Sequence, residues 1–133
     1  MSNLKNLVLE HLELSTRDLS RWLELLDDDI VIEFPYGPSA GLSPRLEGKV
    51  AVAEAIKMFL DRVPGIRFNH PVVRLTQEDP DEAFATYDVD TAVPENGRTY
   101  HQNYISHIRQ RNGKITSITE YYDPTKYLEA LGS

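Results

Sequence analysis

Residues 98–132 read RTYHQNYISHIRQRNGKITSITEYYDPTKYLEALG, and this stretch decides the fold. Two segments with alternating side chains, Thr99–Gln110 and Ile115–Tyr122, flank the pair Asn112-Gly113. An Asn-Gly pair between two such segments is a strong signal for a β-hairpin. Asp123-Pro124 then predicts the start of a helix, because Asp is a preferred N-cap and Pro is favoured at the first helical position.

The predicted sheet extends upstream of this hairpin. Ala83–Val93 alternates in the same way, and Asn96-Gly97 joins it to the next strand as a second hairpin turn. Ile66–Thr76 predicts a further strand. Pro71 inside that strand favours an edge or bulged position, because proline cannot donate a hydrogen bond to a neighbour. Four consecutive strands are therefore predicted after residue 65.

The first half of the chain is predicted to be mainly helical. Leucine-rich stripes at three- and four-residue spacing indicate two short helices that meet at Ser15-Thr16 and end in Asp27–Asp29. Ile30–Tyr36 predicts a strand, and Gly48–Val63 predicts a third helix. The order α-α-β-α-β-β-β-β-α predicts one α+β domain over residues 1–133, with helices packed on one face of a curved antiparallel sheet.

Length, charge and composition exclude several functional classes. A chain of 133 residues has room for one domain. It has 14 Lys and Arg against 21 Asp and Glu, and this net charge of −7 disfavours nucleic-acid binding. Cysteine is absent, which excludes disulfides and a cysteine nucleophile and suits a reducing compartment. No apolar run is long enough to span a bilayer and no secretory signal is visible, so we expect a soluble, cytoplasmic protein that binds no membrane.

The sequence contains no convincing catalytic, metal-binding or nucleotide-binding motif. Gly37–Gly41 matches G-x-S-x-G, but prolines interrupt it and the chain is too short for the fold that uses this nucleophile elbow. His101 and His107 are about 20 Å apart on an extended strand, so they cannot share a metal ion. There is no glycine-rich nucleotide-binding motif. We therefore expect no metal and no cofactor.

Alternation along the strands assigns the inward faces. In the last strand, Ile118, Glu120 and Tyr122 share one face, and the pattern leaves its orientation open. If that face is inward, a low-dielectric setting raises the pKa of the Glu120 carboxyl. The inward faces predicted for the other strands carry several tyrosines and a serine. A solid core rarely contains that many hydroxyl groups, because each one needs a hydrogen-bond partner, so the pattern favours a pocket with aromatic walls. The other predicted inward residues are Ile30, Ile32, Phe34, Tyr36, Ala83, Ala85, Tyr87, Val89, Tyr100, Gln102, Tyr104, Ser106 and Ile108.

Three stretches resemble a known family. Residues 27–38 (DDDIVIEFPYGP), 46–60 (LEGKVAVAEAIKMFL) and 98–132 are similar to the SnoaL-like branch of the nuclear transport factor 2-like superfamily, which includes ketosteroid isomerase-like proteins. Residues 98–132 also resemble the phenazine biosynthesis A/B proteins. The resemblance implies a cone-shaped α+β barrel, in which helices close a strongly curved mixed or antiparallel sheet around an apolar pocket.

The resemblance also implies candidate site residues. The acidic glutamate that phenazine-like proteins carry on the last strand matches Glu120, and their aromatic strand matches Tyr100, Gln102 and Tyr104. Their pocket histidine has no clear match, and His70 is the nearest candidate in sequence. We therefore expect Glu120, His70 and Tyr104 to be catalytic. The expected substrate-binding residues are Trp22, Phe34, Tyr36, Met58, Phe59, Tyr87, Tyr100, Gln102, Ile118 and Tyr122.

Three functions stay open at this point. The first is an acid–base isomerase, cyclase or dehydratase that acts on a small apolar ring-containing metabolite. The second is a non-catalytic module that binds such a ligand. The third is a dimerisation module that pairs through its outer sheet face, where His101, Asn103, Ile105 and His107 lie. The alternative to a catalytic Glu120 is a rim carboxylate paired with Arg109 or Arg111.

Overall fold

A computed structural model of the protein describes residues 3–132. The predicted order of elements is confirmed, with one short strand added between the first strand and the third helix. The elements are α1 (Asn3–Arg17), α2 (Leu19–Glu24), β1 (Leu26–Glu33), a 3-10 turn (Pro38–Ala40), β2 (Arg45–Glu47), α3 (Lys49–Arg62), β3 (Asn69–Leu75), β4 (Glu82–Val93), β5 (Arg98–Arg111), β6 (Lys114–Tyr122) and α4 (Pro124–Leu131).

Within residues 3–132 the strands form one six-stranded sheet in the order β2-β1-β6-β5-β4-β3. The sheet is mixed, because β1 pairs parallel with β6 whereas all the other pairs are antiparallel. Three of the pairings contain register shifts, which bend strands and increase their twist. The predicted α+β fold with helices on a mixed sheet is confirmed, but β2 and β3 remain free edges, so the sheet does not close into a complete barrel.

The helices cover one face of this sheet. Helix α1 packs against β3 and β4, α3 packs against β1 and β2, and α4 packs against β5. The predicted inward faces of β4 and β5 are buried, from Ala83 to Val89 and from Tyr100 to Ile108 at alternate positions. No helix among the described residues is long and apolar enough to cross a membrane.

The start of β1 corrects the prediction for the acidic run. Asp27–Asp29 do not end a helix; they lie inside β1, at the irregularity in its pairing with β6. Helix α2 already ends at Glu24 with Leu25 as its C-cap. Asp28 and Asp29 are exposed, so their charges stay in water and the strand tolerates them. The break between the first two helices lies at Asp18, whose carboxylate caps α2 by accepting a hydrogen bond from the Arg21 N–H.

Both predicted hairpin turns are present. Asn112 and Gly113 have φ angles of 55° and 80°, the left-handed conformation that an Asn-Gly hairpin turn requires. The prediction for Pro71 is also confirmed, because β3 is an edge strand with a register shift between Asn69 and Val72.

A bulge settles the orientation of the last strand. The pairing of β5 with β6 shifts between Arg109 and Gln110, so that Ile115 and Ile118 are both buried although they lie three residues apart. Beyond this bulge the alternation is regular. Glu120 therefore lies on the same inward face as Ile118 and Tyr122.

Candidate functional site

A cavity of about 580 Å³ lies between the helices and the inner face of the sheet. Its walls are mostly apolar and aromatic, and its volume is in the range that holds drug-sized ligands. Leu42 and Met58 line it while remaining exposed, so they mark its mouth. The expected site residues that border this cavity are Trp22, Phe34, Met58, Phe59, Tyr100, Tyr104, Ile118, Glu120 and Tyr122.

The carboxyl group of Glu120 is the central polar feature of the cavity. Its Oε2 accepts a hydrogen bond of 2.6 Å from the Tyr87 hydroxyl, which also lies 2.8 Å from the Ser106 Oγ. Burial raises the pKa of Glu120 to about 7, although the hydrogen bond from Tyr87 acts to lower it. The rim alternative does not hold, because Arg109 instead bonds Asp79, and Arg111 pairs in register with Lys114, far along β5 from Ser106, the residue opposite Glu120.

The other charged groups that line the cavity are neutralised by ion pairs. Arg62 donates two hydrogen bonds to the Glu95 carboxylate, at 3.0 and 3.1 Å, and a third to the Leu131 carbonyl. Asp61 is exposed and pairs with Lys57 at 3.2 Å. Among the described residues, Glu120 is therefore the cavity carboxyl that has no cationic partner.

Tyrosine rings stack beside Glu120, with Tyr104 on the cavity surface and Tyr87 behind it. The rings of Tyr87 and Tyr104 stack at 5.3 Å, and Phe68 packs edge-on against both, at 4.8 and 5.6 Å. The Tyr100 and Tyr104 hydroxyls are 2.8 Å apart. Burial raises the pKa values of Tyr87, Tyr100 and Tyr104 above their usual value of 10, so these hydroxyls stay protonated at neutral pH.

Two expected binding residues lie behind the wall and not on the cavity surface. Tyr87 is 3% exposed and acts on the site through its hydrogen bond to Glu120. Gln102 holds the start of α4, because its amide donates to the Asp123 carbonyl and accepts from the Asp123 N–H. This clamp positions α4, which places Tyr127 in the cavity lining.

Two other expected residues lie outside the cavity. His70 lies on the edge strand β3 with its side chain 82% exposed, and its Nδ1 is 2.9 Å from the Asp88 carboxylate of β4. Its φ of 55° at the irregular start of β3 breaks the strand alternation that an inward position would need. Tyr36 was predicted to face inward, but it follows the end of β1, is 50% exposed and packs edge-on against Tyr121.

Sequence reasoning missed His11 as a cavity residue. It lies within the first leucine stripe, where the spacing by itself indicates helix packing, although a histidine on an apolar helix face is itself a signal. The structure buries it to 4% exposure at the cavity, where its Nδ1 accepts a hydrogen bond of 2.8 Å from the Trp22 indole N–H. Burial lowers its pKa to about 4. Phe68 and Tyr127 were missed as well.

Comparison with known proteins places this architecture in a family. The profile of the SnoaL-like domain matches residues 8–118, which is most of the chain. The chain belongs to the SnoaL-like domain family. The predicted family resemblance is thereby confirmed. In the described residues of this SnoaL-like domain, no group of three or more His, Asp or Glu side chains could hold a metal ion.

Individual relatives extend the comparison. The uncharacterised protein YesE of Bacillus subtilis is 36% identical over 116 residues, covering 87% of this chain and 78% of YesE. An uncharacterised PhzA/B-like protein of Pseudomonas aeruginosa is 31% identical over 131 residues, covering 98% of this chain and 91% of that protein. The crystal structure of a "putative isomerase" from Bacillus subtilis has a TM-score of 0.87 at 32% identity, covering 97% of this chain and 93% of that one. The predicted similarity to phenazine A/B proteins is thus confirmed.

The Tyr87 hydrogen bond leads to a testable prediction about Glu120. We expect Tyr87→Phe to raise the pKa of Glu120 above 7, because the bond stabilises the ionised carboxylate. A ¹³C NMR titration of glutamate-labelled protein measures this pKa directly. Tyr121→Phe is the matched control, since Tyr121 lies on the outer face of the sheet. Loss of its hydroxyl group should leave the pKa of Glu120 unchanged. An unchanged or lower pKa in Tyr87→Phe contradicts the prediction.

Proposed function

We propose that this protein binds a small apolar ring-containing metabolite in the cavity and that Glu120 acts on it as a general acid–base. The reaction class is that of an isomerase, cyclase or dehydratase. The observation that carries the proposal is a carboxyl group that has no cationic partner among the described residues and borders an aromatic cavity of about 580 Å³, where burial raises its pKa to about 7. Near neutral pH such a group is present in both protonation states, so it can accept a proton and return it.

The wall chemistry supports the proposed substrate class. Flat ring systems suit a cavity of tyrosine and phenylalanine rings, because aromatic pairs gain from offset and edge-to-face packing. A highly charged substrate is a poor fit, since Arg62 is already neutralised by Glu95. The B. subtilis relative that is called an isomerase is consistent with proton-transfer chemistry of this kind.

Solvent exchange of a model ketone tests the proposal. 2-Tetralone is an aryl-fused cyclic ketone whose α-protons exchange with D₂O, and ¹H NMR follows their loss. We expect the protein to accelerate this exchange. Ala55→Phe should reduce the acceleration, because it narrows the cavity while Glu120 itself is unchanged. Binding without any acceleration indicates instead the second function, a non-catalytic ligand-binding module, and contradicts a catalytic Glu120.

We also propose that the protein forms a homodimer through the outer face of the sheet. This face exposes large apolar side chains on adjacent strands, and Thr86, Ile105 and Tyr121 are neighbours in its register. Exposed apolar patches of this kind are typical of protein interfaces. The apolar members of the patch are Val72, Phe84, Ile105 and Tyr121.

The dimer proposal predicts a mass and its loss. Sedimentation equilibrium should give twice the chain mass of 15.2 kDa for the native protein. Ile105→Lys should give a monomer, because it places a charge in the centre of the patch. The matched control is Val50→Lys, an exposed apolar position on α3, and it should stay dimeric. A monomeric native protein contradicts the proposal. The cytoplasm is the proposed location, because a chain without cysteine lacks the disulfides on which small secreted domains commonly depend.

A further inference from the structure

The buried pair of His11 and Trp22 fixes the state of one imidazole in the cavity wall. An indole N–H can only donate, so the Nδ1 of His11 must accept the 2.8 Å hydrogen bond from Trp22. The two rings also stack, with centroids 6.0 Å apart. With Nδ1 occupied as an acceptor, the proton of the neutral imidazole lies on Nε2.

The surroundings of His11 keep this ring neutral. It is 4% exposed, and no carboxylate of the described residues is hydrogen-bonded to it to stabilise a positive charge. The ionisable groups that share its cavity are Glu120, Asp61, Arg62 and the tyrosines, and the first of these bonds Tyr87. Burial accordingly lowers the pKa of His11 to about 4. His11 is therefore a weak base at neutral pH and a fixed hydrogen-bond donor.

The Nε2 atom is available to a ligand. Among residues 3–132, every fully enclosed side-chain nitrogen or oxygen has a hydrogen-bond partner. The hydrogen bond of the His11 ring is made by Nδ1, and Nε2 has no hydrogen-bond partner among residues 3–132. Nε2 therefore keeps some accessible surface, and His11 is one of the residues that line the cavity.

We infer that the Nε2–H of His11 donates a hydrogen bond to a carbonyl or enolate oxygen of the substrate, and that Trp22 is the positioning residue that fixes its tautomer. This inference rests on the proposed function of Glu120 and narrows the substrate class to apolar cyclic ketones and enones. Glu120 removes a proton from the carbon next to the carbonyl, and the C–H electron pair moves to form the enolate. His11 keeps its proton throughout, and Glu120 returns its proton to carbon. No oxidant or co-reactant is needed.

The tautomer can be tested without any catalysis. A two-dimensional ¹H–¹⁵N spectrum of histidine-labelled protein should show His11 as the neutral Nε2–H form between pH 5.5 and 8. Adding 2-naphthol, a stable mimic of the enol of 2-tetralone, should move the His11 Nε2–H resonance downfield, and naphthalene should not. An Nδ1–H tautomer, or an identical response to both compounds, overturns the inference.

Variants at position 11 test the same contact by binding and by rate. We expect His11→Leu to weaken 2-naphthol binding about 10-fold and to leave naphthalene binding within about twofold. The exchange rate of 2-tetralone should fall about 10²–10³-fold, the usual effect of removing one oxyanion donor. His11→Gln, which retains an N–H donor of similar reach, should recover part of both losses. Equal loss of 2-naphthol and naphthalene binding indicates a structural role only and overturns the inference.

The failure of this inference can be told apart from a failure of the proposed function. If Glu120→Gln slows exchange and His11→Leu does not, the role of Glu120 stands and that of His11 is wrong. If the native protein does not accelerate the exchange of the 2-tetralone α-protons, the catalytic role of Glu120 is wrong. In that case the 2-naphthol and naphthalene pair still decides whether His11 recognises a ligand oxygen.

Discussion

Replacing Glu120 with Gln is expected to slow the exchange of 2-tetralone α-protons by about 10²–10⁴-fold, the usual contribution of a positioned general base. Glutamine has nearly the same shape and still accepts a hydrogen bond from Tyr87, but it cannot take up a proton at neutral pH. NMR exchange rates in D₂O measure the effect. The affinity for 2-naphthol should change little, because the cavity keeps its shape.

A matched control separates this effect from a general loss of charge. Glu33 lies on β1 of the same sheet, but it is exposed and paired with Arg45 at 3.2 Å. Glu33→Gln should catalyse the exchange of the 2-tetralone α-protons at the native rate. Equal rates for the native protein and Glu120→Gln assign any observed exchange to another group and contradict the proposed catalytic role.

The second large effect is on stability as a function of pH. The pKa of Glu120 is about 7 in the folded chain against an ordinary value of 4.5, so the folded state binds the proton more tightly than the unfolded state. The protonated carboxyl therefore contributes stability that is fully present below pH 4.5 and is lost as the pH rises through 7. The shift corresponds to roughly 3 kcal/mol at about 1.4 kcal/mol per unit. Because Glu120 borders the cavity, partial solvation of its carboxylate makes the loss of stability smaller than this value.

Glu120→Gln should remove this loss of stability. Relative to the native protein, its free energy of unfolding should gain about 1–3 kcal/mol between pH 4 and pH 9, because an uncharged amide replaces a carboxylate that is costly to ionise. Urea unfolding at a series of pH values measures the difference between the two proteins, and the titration of the other groups cancels. A difference that is independent of pH contradicts the raised pKa.

Local pattern was sufficient for the middle of the sheet and insufficient for its last strand. Tyr100 and Tyr104 were placed correctly because β5 alternates without interruption over its inward face. In β6 alternation assigns Ile115 and Ile118 to opposite faces, whereas the bulge opposite Gln110 turns both inward. Whether Glu120 faced the cavity therefore depended on a register shift that alternation does not reveal.

His70 and His11 also show what local sequence pattern does not reveal, since the first was expected in the site and lies outside it and the second lines the cavity unexpectedly. His70 was a candidate because it is close in sequence to the meander, but the irregular backbone at the start of β3 leaves it exposed beside Asp88. His11 lies within the leucine stripe that predicts α1. It became a cavity residue only through Trp22, which is eleven positions away in sequence and belongs to a different helix.

By itself the sequence determined the order of the helices and strands, both Asn-Gly hairpins and the inward faces of β4 and β5, because these depend on neighbouring residues and on regular spacing. The tertiary structure alone decided the parallel pairing of β1 with β6, the partner of Glu120 and the tautomer of His11. Each of these depends on groups that are distant in sequence, and the pKa of a buried carboxyl is set by whatever the fold packs around it.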